Sequence, residues 1–515
     1  MPASITPTLD FNPLFLAGAG PCGGSCRQQS EGSSNMRLRQ ARGCYTSSRT
    51  CDEVAPRYRL GERVMMGNHA QVRPFPMSLF VRLLAQLVVL ALLGLAIAGT
   101  ALAASGDELW SRTYHSPSGG PSRATAATVD PPGNVVVTGN SYRSSTGADI
   151  LTVKYTPWGA LRWTRRFTGP GRRSDAAYDV ACDSAGNVYA TGRRMLPTGP
   201  SLVVLKYDAA GNRKWVAGLG AGPDGAAYGK SLVVATRGEI YVAGVRIVAR
   251  NNNDIVALKY TAAGRRLWTR RYDGPAHRED GVNDMARDGG NNVYLAGAAT
   301  VSGRKAEFLV LSYAPDGRQR WDNIPWGAGS TATDSAGAVV VGGGYVGATG
   351  NKGKGCLTVC YTTGGALRWT RSSGQVGMLN AGTDIALWRG KYSVAGTSGE
   401  EYLFGVESVD GTGDGLSFVN PVASDAVNRD PHVAVDASGN AYVAGSYRCS
   451  PDALGVSISK FSGWTKLWTA TRPSPPCEGT DLAIGPRGAL YVAGKVWTDG
   501  SLTSPTDYLV VKYAQ

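Results

Sequence analysis

Histidine is nearly absent from this chain, with four in 515 residues, and only His115, His277 and His432 lie beyond residue 103. Metal or triad chemistry built on imidazole is therefore poorly supplied, and no H-E-x-x-H or G-x-S-x-G occurs. The glycine-rich stretch from Gly347, GATGNKGKG, lacks the Gly-Lys-Ser/Thr ending of a phosphate loop and reads as a flexible loop. The S-x-D-x-G-x-x-W box of sialidase-like chains is also missing. Outside one N-terminal segment no stretch carries a 3.6-residue apolar period, which argues against a helical fold.

What is abundant is glycine, 69 residues placed at turns, and short β-branched and aromatic runs. The phrase GNVYATG at Gly186 returns as GNVVVTG at Gly133, GEIYVAG at Gly238, NNVYLAG at Asn291 and GAVVVGG at Gly337. It continues as GKYSVAG at Gly390, GNAYVAG at Gly439 and GALYVAG at Gly488. Successive starts lie 53, 52, 53, 46, 53, 49 and 49 residues apart, a period that marks a solenoid, a propeller or an array. Each period holds a polar-apolar strand, then the phrase, then a strand like DILTVKY at Asp149, and after a Gly turn a strand carrying tryptophan. Four antiparallel strands per unit make a propeller blade.

The tryptophans of the fourth strands are Trp110, Trp163, Trp215, Trp268, Trp321, Trp369 and Trp468, and the sixth unit has Phe418 in that region instead. Their recurrence predicts blade-to-blade packing. The chain past residue 103 opens on a tryptophan strand with no unit before it and ends on a third strand, DYLVVKY, with no fourth after it. The expected fold is all-β: an eight-bladed β-propeller of four-stranded antiparallel blades, closed by the strand of Trp110 pairing with the strand of Tyr508–Tyr513.

The segment from Met77 to Ser105 has one early arginine, an apolar run from Leu83 to about Ala98 and an A-x-A site at Ala101–Ala103. This order predicts a secretory signal peptide, with an uncut membrane anchor as the rival reading. The expected division is a disordered or wrongly assigned extension over 1–76, a signal peptide or anchor over 77–103, and a single propeller domain over 104–515. Translation then starts at Met77. Cys22 and Cys26 in the extension lack the partners of a zinc site. An exported protein can hold disulfides, and Cys449 with Cys477 is the candidate pair.

The repeats DSAGNVYATG and DASGNAYVAG, followed by strands such as DILTVKY and GALRW, resemble the bacterial SBBP β-propeller repeat of secreted and surface proteins. The resemblance covers nearly all of 105–515 and implies the fold. That family has no defining catalytic residues, so it implies no reaction.

Two constellations are candidate sites. Aligned by their turns, the first strands put Asp179, Asp284, Asp384 and Asp481 at one position in alternate units, with Ala126, Ser231, Ser330 and His432 between them. Four carboxylates around an axis suit a hard cation such as calcium, or else accept backbone N–H groups from their own turn and the next blade. The second is a basic face on the loops between second and third strands, carrying Arg143, Arg193, Arg194, Arg246, Arg250, Arg304, Lys305, Lys352, Lys354 and Arg448, with Trp497 as an aromatic. Residues 104–515 hold 43 basic and 34 acidic side chains, which speaks to anionic partners. The leading expectation is a secreted, non-catalytic scaffold, monomeric, binding an acidic polysaccharide, a wall polymer or a surface protein, and not nucleic acid. The alternatives are an enzyme at the axial mouth, quinoprotein or polysaccharide-cleaving, and an envelope-assembly scaffold. No certain cofactor is expected; a quinoprotein's shelf, calcium site and base aspartate have no motif here.

Overall fold

The computed structural model describes residues 104–515 apart from 221–224, 250–251, 303–304, 326–333, 354, 374–380, 399–402, 410–417, 420–428, 451–452, 464 and 500–503. The extension and the apolar segment before residue 104 lie outside the described residues. Among the described residues no helix is long and apolar enough to cross a membrane.

The described strands pair antiparallel into eight four-stranded sheets, the blades of a β-propeller. Seven are consecutive in sequence, over 122–167, 176–219, 226–272, 281–323, 335–373, 381–419 and 429–472. The remaining sheet is composite, with Cys477–Ile484, Leu490–Trp497 and Thr506–Tyr513 followed by Glu108–Tyr114 as its fourth strand. Trp110 stands opposite Lys512 and Tyr114 opposite Tyr508, so both ends of the described chain share one blade and no strand edge is left open there.

Every first strand carries a β-bulge at one place, such as between Ala177 and Asp179 or between Gly479 and Asp481. The bulge explains the glycine that closes the repeated phrase. A Cβ on Gly192 would lie 2.0 Å from the Ala176 carbonyl oxygen, and one on Gly297 2.0 Å from that of Gly281. Only a residue without a side chain lets the second strand pass the bulge.

That test corrects the alignment of the fifth unit. GAVVVGG belongs to the first strand, Ser335–Gly342, with its bulge between Ala336 and Ala338. The second strand is Tyr345–Lys352, where Gly350 faces the Ser335 carbonyl oxygen at 2.0 Å from an added Cβ. Most of the stretch expected to be a flexible loop from Gly347 is therefore strand. The turn is made at Gly343 and Gly344, whose φ angles of 59° and 85° suit glycine.

The rest of the repeat serves the seams. The indole N–H of Trp110, Trp163, Trp215, Trp268 and Trp321 donates to a turn carbonyl of the following blade, at Pro157, Ala209, Ala262, Pro315 and Thr363, over 3.0–3.1 Å. Each ring lies under that turn's glycine, as Trp163 does under Gly211 and Trp215 under Gly264. Two residues on, Arg112, Arg165 and Arg270 donate to the carbonyls of Gly159, Gly211 and Gly317. The lysine of the third strand reaches the same turns, from Lys206 to Ala262, Lys259 to Pro315 and Lys512 to Pro157. Six of the cations read from composition are thus bound to backbone carbonyls at the seams.

The turn motif D-x-x-G-N-x-Y is a staple within the second and seventh blades, and D-x-x-N-N-x-Y serves the same way in the fourth. Asp183 accepts from the Asn187 backbone N–H and amide and from the Tyr189 hydroxyl at 2.7–2.9 Å, and Asp288 and Asp436 do likewise. In the first blade the tyrosine position holds Val136, and Lys154 takes the vacant place, with its ammonium 2.7 Å from Asp130 Oδ2.

Candidate functional site

The bulges aim one residue per blade at the axis: Ala126, Asp179, Ser231, Asp284, Ala338, Asp384, His432 and Asp481. The fifth member is Ala338, not Ser330, which lies outside the described residues. These residues line a cavity of about 260 Å³ together with Tyr178, Lys230 and Asn283.

Each axial carboxylate accepts one N–H from the next residue of its own strand and one from the following blade. Asp179 takes Val180 and Leu232, both at 2.7 Å. Asp284 takes Met285 at 2.7 Å and Val339 at 3.0 Å. Asp384 takes Ile385 and Val433, and Asp481 takes Leu482 and Ala127. Between them the odd positions act as bridges. The Ser231 hydroxyl reaches Asp179 at 3.1 Å and Asp284 at 3.3 Å, while His432 Nδ1 lies 3.6 Å from Asp384 and 3.8 Å from Asp481.

Burial dominates the electrostatics of the ring. It pushes the Asp179 carboxyl up to about 7 and that of Asp284 to about 6, against the backbone N–H bonds that favour the ionised form. Asp481 is raised for the same reason, with His432 opposing. Asp280, outside the ring, is raised by burial to about 6. A carboxyl whose folded value exceeds its unfolded value holds its proton more tightly when folded, so its contribution is full below about pH 4 and is lost as pH rises through about 6 to 7. We expect the thermal midpoint to fall between pH 4 and pH 7.5, and Asp179→Asn with Asp284→Asn to flatten that slope. A melting series across this range with an unchanged slope in the double variant would refute the assignment.

The ring does not fit a single calcium ion by its geometry. Its carboxylate oxygens are already aimed at backbone donors. No three of them come within 4.8 Å of one another; among the described residues only Asp254, Asp273 and Asp280 do so. In that trio the Arg271 guanidinium already pairs with Asp254 and, at 3.0 Å, with Asp273. Asp280 accepts from Gly274 N at 2.5 Å and Thr300 N at 2.9 Å.

The loops between second and third strands do share one face. Arg143 and Arg448 are exposed there, and Arg193, Arg194 and Arg246 are half-buried on the first, second, third and seventh blades, an arc flanking the composite blade. Lys305 and Lys352 stand on the same class of hairpin. Arg250, Arg304 and Lys354 lie outside the described residues. Among the described residues none of the five arginines pairs with a carboxylate, whereas Arg166 pairs with Asp149 and Arg472 with Glu108. The Nε groups of Arg193 and Arg246 are buried without a partner. Trp497 departs from expectation: it is 6% exposed and covered by the Lys495 ammonium, 4.6 Å from the ring centre. The Cys449–Cys477 bridge is not formed. Both thiols are free, Cys449 facing the Pro473 carbonyl and Cys477 that of Arg472. Sequence reasoning missed the bridging roles of Ser231 and His432, because both depend on contacts between blades.

No protein-family model matches the chain, and no curated protein is similar to it. Among solved structures it is similar to the WD40 β-propeller domain of Doa1, at 14% identity over 66% of this chain and 93% of that one, with a TM-score of 0.38. It is also similar to the β-propeller domain of the Trilobed protease from Pyrococcus furiosus, at 8% identity over 67% and 97% and a TM-score of 0.39. A third likeness is to a subtype N11 neuraminidase-like protein of A/flat-faced bat/Peru/033/2010, at 9% identity over 80% and 96% and a TM-score of 0.40.

Proposed function

We propose that the chain is a secreted, non-catalytic, eight-bladed propeller of the SBBP-repeat kind whose loop face binds an acidic polysaccharide. The observation that carries this reading is the set of five arginines on that face, Arg143, Arg193, Arg194, Arg246 and Arg448, without carboxylate partners among the described residues. Guanidinium groups recognise carboxylate or sulfate in bidentate geometry. The axial cavity supports an enzyme less well, since its four carboxylates are held by backbone N–H bonds. Export rests on the leader read in the sequence.

Polygalacturonate is the probe. It is expected to raise the thermal midpoint by a few degrees, an effect lost at high salt and with the fully methyl-esterified polymer. The triple variant Arg143→Ser, Arg194→Ser, Arg448→Ser should abolish the shift while keeping the ligand-free midpoint. A shift indifferent to salt, or retained by the triple variant, would overturn the reading.

A further inference from the structure

The exposed apolar side chains are concentrated at one end of the ring, opposite the loop face. Of the nine large hydrophobic residues exposed among the described ones, seven stand at the end of the short turns, and only Tyr142 and Val248 lie on the loop face. Trp158, 73% exposed, sits in the turn between Gly147–Tyr155 and Leu161–Phe167. The same turn position is Ala210, Ala263, Asp316 and Gly364 in the next four blades, so the repeat does not require the indole. Tyr345 follows the turn at Gly343 and Gly344. The other five are leucines near the starts of fourth strands, Leu109, Leu161, Leu267, Leu367 and Leu467, between 40% and 58% exposed.

Cations share this end. In the first, third, fifth and seventh blades an exposed cation adjoins the exposed leucine: Arg162 beside Leu161, Arg266 beside Leu267, Arg368 beside Leu367 and Lys466 beside Leu467. The exposed carboxylates of the described short turns and fourth-strand starts are Asp107, Glu108 and Asp316, and Glu108 is paired with Arg472. Asp183, Asp288 and Asp436, in the turns between first and second strands, are half-buried. The chain also enters the propeller on this face. Ser105 Oγ donates to the Gln515 carbonyl at 2.9 Å and the Gly106 N–H to that of Ala514 at 3.0 Å. Ala104 and Gln515 thus meet where the composite blade has no turn between its third and fourth strands. The apolar run from Leu83 to about Ala98 stands a few residues earlier in the sequence.

We infer that the short-turn face rests on the surface of an anionic phospholipid bilayer. The core of a protein partner's interface gathers its apolar residues and is depleted of charge. Here each leucine has a cation at its side, and the pairs are spread around the ring in alternate blades. A flat lipid surface meets all of them at once. The guanidinium and ammonium groups lie at the level of the phosphates, and the indole and leucines enter the boundary between headgroups and acyl chains. A polysaccharide would leave the leucines in water. The loop face then points away from the membrane, whether the apolar segment is removed or kept as an anchor.

The test is co-sedimentation of residues 104–515, within which all eight sheets are complete, with vesicles of phosphatidylglycerol and phosphatidylcholine at a ratio of about 3:7. Leaving out the apolar segment keeps it from binding on its own account. Binding is expected, absent with phosphatidylcholine alone and weakened at high salt. Trp158→Ala with Leu161→Ser should weaken it about 30-fold. Arg266→Ser, Arg318→Ser and Arg368→Ser together should weaken it about 100-fold. The melting midpoints of both variants should match the wild type. Vesicles with brominated acyl chains should quench part of the tryptophan fluorescence, and Trp158→Phe should remove that part. Arg143→Ser with Arg448→Ser on the other face should leave vesicle binding unchanged, so failure here is distinguishable from failure of the polysaccharide reading. No binding to the anionic vesicles, equal binding to phosphatidylcholine alone, or binding indifferent to Trp158→Ala with Leu161→Ser would overturn the proposal. So would a dimer that this double variant dissociates, found in place of vesicle binding, which would make the face a contact between copies.

Discussion

Asp130→Ala is expected to lower the free energy of unfolding by about 3–5 kcal/mol, the usual cost of stranding one member of a buried ion pair. Asp130 and Lys154 are both 1% exposed, with Nζ 2.7 Å from Oδ2. Asp130 also accepts from the Asn134 backbone N–H at 2.7 Å and from its amide at 2.8 and 3.0 Å. Removing it leaves an ammonium with two weak remaining contacts, the Gly186 carbonyl at 3.4 Å and the Trp163 ring, 5.9 Å from its centre. Asp130→Asn combined with Lys154→Met should recover much of the loss, because it removes both charges and keeps an acceptor for the turn. Urea titrations of the single and double variants measure this directly. A single-variant loss below about 1 kcal/mol would mean that water reaches Lys154 and the pair is not buried in solution.

Trp163→Ala is expected to cost a similar amount, about 3–5 kcal/mol, by opening a cavity beneath the next blade's turn. Trp163 is 6% exposed, lies against Gly211 and bonds the Ala209 carbonyl at 3.1 Å. Five residues earlier, Trp158→Ala should stay within about 0.5 kcal/mol, as an exposed side chain away from packing does. Differential scanning calorimetry of the two variants supplies the comparison. Equal midpoints would show that the fourth-strand tryptophans do not join the blades.

The four-strand unit, the tryptophan seams and the pairing of Trp110's strand with the last strand were legible because each leaves a local mark at a constant interval. The alternation of Asp179, Asp284, Asp384 and Asp481 was legible for the same reason. The fifth unit was misplaced because Ala338–Val341 matches the apolar pattern of the phrase as well as the true second strand does. What separates them is the clearance opposite a bulge, which no apolar pattern records. Trp497 was misassigned because an aromatic on a loop-face hairpin can turn inward beneath a neighbouring lysine, and Lys495 provides that cover. The donors to the axial carboxylates come from other blades, about fifty residues away, as in Leu232 to Asp179, and a single strand cannot show them.

The seams also bear on how such a chain can change over generations. Five of the blades reach forward to the next with the same indole and the same turn glycine, so these five seams are joints of one kind. Duplicating or deleting one of these periods would present the new neighbour with a partner it already recognises. Moving the ends of the chain to another hairpin would likewise break no type of contact that is not repeated elsewhere. Ring size in this architecture is accordingly a heritable variable, limited by the geometry of closure and by what the axis must hold, and no single residue encodes it.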